Sequence, residues 1–295
     1  MKTKILISAA NGIIMNSLIK TLKKNFYVIG IDSEVHGSGA YICDEFYLSP
    51  KGTDIRFLNF LKNLGKKVEY IFLFVDEEIN LINKNRKKLS SIIKKIVISN
   101  NKTLNICLNK SKFHNFCIKN NFNVPGLNYK KKMLAKPIFG RGSKNIFEIT
   151  NFNDFKFFKS KQNYIVQQFI KGKEYTVDCL FDKNGKIIFA LPRIRIVHKG
   201  VSIVGQIVKD KNVLLEINKI SNKLKFFGPI NIQLIKDKRG KIWFLEINPR
   251  LSGSVEFSIK AGFNPLNYFI PKRKFVISKI KYNKVFKRSL IINKE

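Results

Sequence analysis

Short apolar runs separated by helix-periodic segments set the order of elements in the first third of the chain. Lys4-Ile-Leu-Ile-Ser8 reads as a buried strand, Ala9-Ala-Asn-Gly12 as a turn, and residues 13–25 repeat apolar positions at helical spacing. Phe26-Tyr-Val-Ile-Gly-Ile-Asp32 is the next strand. Further strands are expected near 45–48, 70–75 and 95–99, with helices about 54–64 and 80–91. This alternation argues for a parallel sheet with right-handed crossovers. Residues 1–105 are therefore expected to form one small, doubly wound, Rossmann-like unit.

After Pro125 the pattern shifts towards period two. Met133-Leu-Ala-Lys-Pro137 is expected as a short strand, followed by a glycine-bearing turn at 138–143 and a strand at 145–149. A helix at 152–161 and a strand at 164–170 come next. Residues 174–181 and 186–192 make a hairpin about Asp182-Lys-Asn-Gly185, and 193–202 reads as a loop beyond it. A helix at 212–223 leads to a second hairpin. In it Asn231-Ile-Gln233 faces Trp243-Phe-Leu-Glu-Ile-Asn248 across the turn Asp237-Lys-Arg-Gly240. Alternation at 274–280 and 285–292 suggests terminal strands. The whole is expected as an α/β start followed by an α+β region of antiparallel sheets, without internal repeats.

Composition narrows the partners. Apolar runs such as Tyr70-Ile-Phe-Leu-Phe-Val75 fall far short of the roughly 20 residues of a membrane span. The N-terminus runs directly into a strand, so no signal peptide is expected. Cys43, Cys107, Cys117 and Cys179 are scattered, with no CxxC and no histidine at metal spacing, so neither zinc nor disulfides are expected. A reducing cytoplasm fits. The formal net charge of +36 would ordinarily point to nucleic acid. The basic residues, however, are 47 Lys and 9 Arg beside 31 Asn and 26 Phe, a set that AT-rich codons inflate together. The arginine enrichment of a base reader is missing. No specific nucleic-acid partner is expected, though the charge would draw in small anions.

Alternation places Glu246 and Asn248 on one strand face, where Gln233 of the partner strand can join them. One carboxylate and two amide oxygens suit a hard cation such as magnesium, which shares phosphate oxygens with a substrate. Arg250 follows at the strand end, placed to hold a phosphate or carboxylate. Lys136 precedes Gly140-Arg141-Gly142-Ser143, whose N–H groups can fold over phosphates. Taken alone, a plain hairpin loop is the simpler account of that turn. Glu174 could accept ribose hydroxyls while the backbone of 168–170 reads an adenine edge; a surface glutamate is the alternative. Arg193 or Arg195 could clamp a substrate carboxylate, or both could lie on a solvated strand edge. Only Gly12 remains of a three-glycine dinucleotide turn, so Asp32 is not expected to hold a dinucleotide ribose.

Lys136-Pro137, Gly140-Arg-Gly-Ser143, Val166-Gln-Gln-Phe-Ile170, Glu174-Tyr-Thr-Val-Asp178, Asn231-Ile-Gln233 and Glu246-Ile-Asn-Pro-Arg250 follow one another at compatible spacings. In that order they resemble the ATP-grasp superfamily, particularly stand-alone proteins similar to the carbamoyl-phosphate-synthase large subunit. The resemblance covers nearly the whole chain. It implies a Rossmann-like domain at 1–105, a small or lid subdomain at 106–172 and a catalytic subdomain at 173–295. It also implies ATP and magnesium as cofactors, with manganese as an alternative metal.

By that resemblance Lys110 and Lys136 touch ATP phosphates, and Gly140, Arg141, Gly142 and Ser143 form the loop that closes over them. Gln168, Phe169 and Ile170 face adenine, and Glu174 takes the ribose. Gln233, Glu246 and Asn248 hold magnesium, while Arg250 steadies the γ-phosphate or an acyl phosphate, with Arg195 as a second catalytic arginine. The implied activity is an ADP-forming carboxylate–amine ligase acting on small carboxylate and amine substrates. A nucleotide-binding module without turnover and a charge-driven nucleic-acid binder are the alternatives. Gly253 and Ser254 stand where carbamoyl-phosphate synthetases carry another arginine, which turns the expectation away from bicarbonate. Residues 125–136 are short for a full lid. Association with further copies of the chain is left open.

Overall fold

The computed structural model describes residues 2–12, 15–140, 142, 144–199 and 201–289. The chain begins with β1 (Thr3–Ile7), α1 (Met15–Leu22), β2 (Phe26–Asp32), α2 (Gly39–Ile42), β3 (Glu45–Leu48), α3 (Arg56–Gly65), β4 (Tyr70–Phe72) and α4 (Asp76–Lys84). Four of these make a parallel sheet in the order β3-β2-β1-β4. Period two sorts β1 between two cores: Ile5 and Ile7 pack with Met15, Leu18 and Val28, and Leu6 packs with Ile29, Phe57 and Leu61. Burying each such side chain contributes roughly 1.5–3 kcal/mol. That two-sided burial is why the strands read as unbroken apolar runs.

Two expectations change here. The strand at 95–99 reduces to a single bridge, Ile71 to Ile96, because the Ile98 N–H donates to Ile96 O (3.0 Å) and bends the chain off the sheet. The helix expected at 80–91 is shifted to Asp76–Lys84, since the acidic run Asp76-Glu77-Glu78 complements its N-terminal dipole, and a short 3-10 turn follows at Arg86–Leu89.

The chain continues through α5 (Asn101–Cys107) and α6 (Lys110–Lys119) into β5 (Met133–Pro137), β6 (Phe147–Ile149), α7 (Phe152–Ser160) and β7 (Tyr164–Gln168). These last strands form a small antiparallel sheet ordered β6-β5-β7, with α7 packed on it. Next come β8 (Gly172–Phe181), β9 (Ile187–Lys199), β10 (Val201–Ile207), α8 (Lys211–Ser221), β11 (Gly228–Asp237), β12 (Ile242–Asn248), α9 (Val255–Ala261) and β13 (Val285–Lys287). They build a six-stranded sheet ordered β12-β11-β8-β9-β10-β13.

The loop expected at 193–202 is instead strand, because β9 runs on to Lys199 and pairs with β10. Of the terminal strands, Val285–Lys287 forms among the described residues, against β10, and 290–292 of the expected strand lie outside them. Residues 274–280 instead pass the left-handed C-terminus of α9, where the Ser278 N–H donates to Gly262 O (3.2 Å). Gly262 sits at φ 115°, and a Cβ there would lie 3.0 Å from Lys279 O. No described helix is long and apolar enough to cross a membrane.

Asp210 fixes α8 to the large sheet. Its carboxylate caps the helix through the Val213 N–H (3.2 Å) and accepts from Lys236 Nζ (2.7 Å) and Tyr175 Oη (3.0 Å). Burial pulls this carboxyl up, but the bonds from Lys236, Val213 and Tyr175 outweigh it and hold the group below the ordinary carboxylate range. Asp210→Ala should cost about 2–3 kcal/mol near neutral pH. A depressed folded pKa means that this contribution is present above the unfolded value and lost as pH falls through the folded one. The wild-type-minus-variant difference in urea unfolding should therefore shrink below about pH 4. A difference that stays constant to pH 3 would contradict the assignment.

Candidate active site

The hairpin of β11 and β12 carries the cation-ligand candidates, and one irregularity sets their phase. Gln233 pairs with Glu246, but the next β11 residue, Leu234, pairs with Phe244, leaving Leu245 as the extra residue of a β-bulge. The bulge lets Phe244 and Ile247, three positions apart, both face the core, where each is 1% exposed. It turns Leu245 and Glu246 together towards a cleft. Asn248 remains beside Glu246, donating from Nδ2 to Oε1 at 3.1 Å.

The cleft consists of two adjoining cavities that share Gly142, Arg195, Gln233 and Glu246. The one towards the small sheet has a volume of about 280 Å³ and holds Lys110, Lys136, Gly140, Gln168, Phe169, Ile170 and Glu174. Its apolar walls are Leu134, Ile146, Ile235 and Leu245, a slot suited to a flat ring. The second, about 220 Å³, lies between the parallel-sheet unit and the large sheet. Ala9, Met15 and Phe74 line it from one side and Asn231, Asn248, Arg250, Ser252, Gly253 and Ser254 from the other.

Charge gathers where the cavities meet. Lys110, the first residue of α6, places Nζ 3.5 Å from Glu246 Oε2 and 2.9 Å from Gly140 O. Burial pushes the Lys136 ammonium down, Glu246 and Glu174 pull it back up, and Lys110 pushes it further down. Two lysines with a shared carboxylate thus border a space suited to a polyanion. Gly140 (φ 128°) and Gly142 (φ 70°) adopt backbone that glycine takes without strain, and no atom lies within 4 Å of a Cβ at Gly142. Arg141 and Ser143 lie outside the described residues.

The structure alters the placement of several other candidates. Of the three amides expected to face adenine, Gln168 N–H already donates to Gly126 O (2.8 Å) and Phe169 N–H to Lys132 O (3.1 Å). Ile170 N–H has no hydrogen-bond partner among the described residues, so it is the donor available to a ring edge. Glu174 is ion-paired with Arg195, which joins the ribose candidate to the second catalytic candidate. Arg250 does not point freely at a phosphate position: Asp76 of α4 takes it in a two-point pair at 2.6 and 2.7 Å. Arg193 is no substrate clamp, because it is fully buried. It donates to Ser202 Oγ (2.9 Å) and Ser254 Oγ (2.8 Å) and lies 3.6 Å from Asp178.

Asp76 and Leu245 were missed from sequence. An acidic residue directly after a buried strand, at the rim where βα turns converge, was the available signal for Asp76. Nothing local marked the bulge at Leu245.

The oxygen donors of Gln233, Glu246 and Asn248 fit a hard divalent cation in chemistry. Among the described residues no group of three or more His, Cys, Asp or Glu side chains could hold a metal by itself. With one carboxylate available, such a cation would need anionic oxygens from a ligand to complete its shell.

Residues 160–289 match the family model described as "ATP-grasp in the biosynthetic pathway with Ter operon", and residues 5–97 match "PylC-like, N-terminal domain". No curated protein matches the chain in sequence. The fold is similar to biotin carboxylase from Campylobacter jejuni, with a TM-score of 0.72 at 15% identity over 97% of this chain and 74% of that one. It is also similar to N5-carboxyaminoimidazole synthetase from Staphylococcus aureus (TM-score 0.69, 17% identity, 88% and 74% covered). L-amino acid ligase from Bacillus licheniformis gives a TM-score of 0.68 at 13% identity, with 88% and 71% covered. The segment 160–289, which carries Glu174, Gln233, Glu246, Asn248 and Arg250, is the part of the chain that belongs to the ATP-grasp family by its sequence.

Proposed function

We propose that the cleft binds ATP with magnesium and uses it to activate a small carboxylate as an acyl phosphate, which an amine or similar nucleophile then attacks. The observation that carries this is the position of Glu246, shared by both cavities and 3.5 Å from Lys110. A phosphate chain leaving the apolar slot would reach the second cavity at that carboxylate. Among the structural neighbours, the Staphylococcus aureus synthetase has been solved with ADP and the Campylobacter jejuni biotin carboxylase as a β-γ-ATP complex. The proposed division of labour follows 1–105, 106–172 and 173–295.

Lys110 and Lys136 neutralise phosphate oxygens, and the loop through Gly140 and Gly142 lies over them. Gln233, Glu246 and Asn248 would hold the magnesium, which when bound offsets and orients phosphate charge; manganese suits the same donors. A carboxylate oxygen attacks the γ-phosphorus and the bond to ADP breaks, with the electron pair leaving on ADP. The nucleophile then adds to the acyl carbon and phosphate departs with the former carboxylate oxygen. Positioning and charge neutralisation supply most of the rate, so no side-chain nucleophile is needed. Arg195, lining both cavities beside Glu174, is placed to meet the carboxylate substrate.

Hydroxylamine offered with ATP, magnesium and a panel of small carboxylates tests the proposal. Hydroxamate and ADP should form in equal amounts with at least one acid. Nucleotide binding with silence across the panel would instead favour a binding module without turnover.

A further inference from the structure

Resting on the proposed phosphoryl transfer, we propose that Asp76 is a positioning residue that presents Arg250 to the transferring phosphoryl group. The pair spans 174 residues of chain and joins the parallel-sheet unit to the end of β12. Arg250 Nε donates to Asp76 Oδ1 at 2.6 Å and Nη2 to Oδ2 at 2.7 Å, so the guanidinium plane is fixed by two parallel bonds. The side chains are only 10% and 14% exposed, which leaves little competing water.

The remaining donors show what this orientation does. Nη1 donates to Leu251 O at 3.0 Å, and Nη2 also reaches Asn248 Oδ1 at 3.4 Å. Of the five N–H groups four are committed, and one on Nη1 remains for a ligand in the cavity that Arg250 lines. Asp76 itself borders a small recess with Lys110, Gly140, Glu246 and Asn248, so it stands at the phosphate corner. A carboxylate there would repel a triphosphate unless its charge were already taken up, and Arg250 does that. A pair made only to dock two parts of the fold would not need to lie against the cation-ligand candidates.

Asp76→Asn keeps the volume and removes one acceptor, while Asp76→Glu keeps the charge on a longer arm. Each full-length variant would be titrated with Mg-ADP and with Mg-ADP plus aluminium fluoride, a planar mimic of the transferring phosphoryl group. The wild type should bind the mimic more tightly than ADP. Asp76→Asn should keep its ADP affinity within about threefold and lose about 10–100-fold for the mimic. Partial recovery in Asp76→Glu, and no added loss when Asp76→Asn is combined with Arg250→Ala, complete the expected pattern. Unchanged preference for the mimic in Asp76→Asn would overturn the proposal, as would equal losses for mimic and ADP. Failure of the wild type to bind Mg-ADP would instead overturn the proposed function itself.

Discussion

Glu246→Ala is expected to lower magnesium-dependent ADP formation by about 10³-fold or more, because in the proposed site the cation would lose the carboxylate among its three side-chain ligands. Glu246 is shared by both cavities, and Lys110 is its salt-bridge partner. The variant has a second, opposite signature. With the carboxylate gone, Lys110 loses its salt-bridge partner and Lys136 keeps only Glu174 as a nearby anion, so metal-free ATP should bind more tightly than in the wild type. EDTA should therefore weaken nucleotide binding in the wild type and leave it nearly unchanged in Glu246→Ala. Fold should survive, since the side chain is partly exposed and its polar contacts are to Lys110 and Asn248 at the cleft. Wild-type rates of ADP formation in this variant would remove Glu246 from the metal site.

The largest effect on stability is expected from Arg193→Met. Arg193 is fully buried, with Asp178 beside it and its guanidinium 5.2 Å above the Phe257 ring. Asp178, itself 3% exposed, also accepts from Ser258 Oγ at 2.5 Å. Removing the cation leaves that carboxylate buried without a counter-charge, which costs about 3–5 kcal/mol. Ser202 and Ser254 lose their partner as well, so the loop before α9 should loosen and the second cavity with it. Combining Arg193→Met with Asp178→Asn should recover part of the loss, because the pair is coupled. Denaturant unfolding measures both. A loss below about 1 kcal/mol in the single variant would mean that the buried charge is compensated elsewhere.

These two positions show which parts of the molecule the sequence made legible. Glu246 and Asn248 could be placed on one face from spacing alone, because alternation is a property of the strand itself. The bulge at Leu245 could not, since it arises from pairing with β11 and changes no local propensity. Arg193 and Arg195 share a strand face and looked alike in sequence. Their difference lies in what packs across from each: Asp178 and two serines against one, Glu174 and the open cleft against the other. Asp76 and Arg250 meet across 174 residues, and no periodicity carries such a contact. The strand expected at 95–99 failed for the converse reason. Its apolar run is real and buried, but a local Ile98-to-Ile96 bond bends it away from pairing.

The central claim, that a carboxylate is activated by phosphorylation, can be checked by following oxygen. The acid that turns over in the hydroxylamine panel is prepared with ¹⁸O in both carboxyl positions and incubated with ATP, magnesium and hydroxylamine. Phosphate released through an acyl phosphate carries one labelled oxygen from the acid, and mass spectrometry of the phosphate should show it. Unlabelled phosphate formed alongside ADP and hydroxamate would contradict the account.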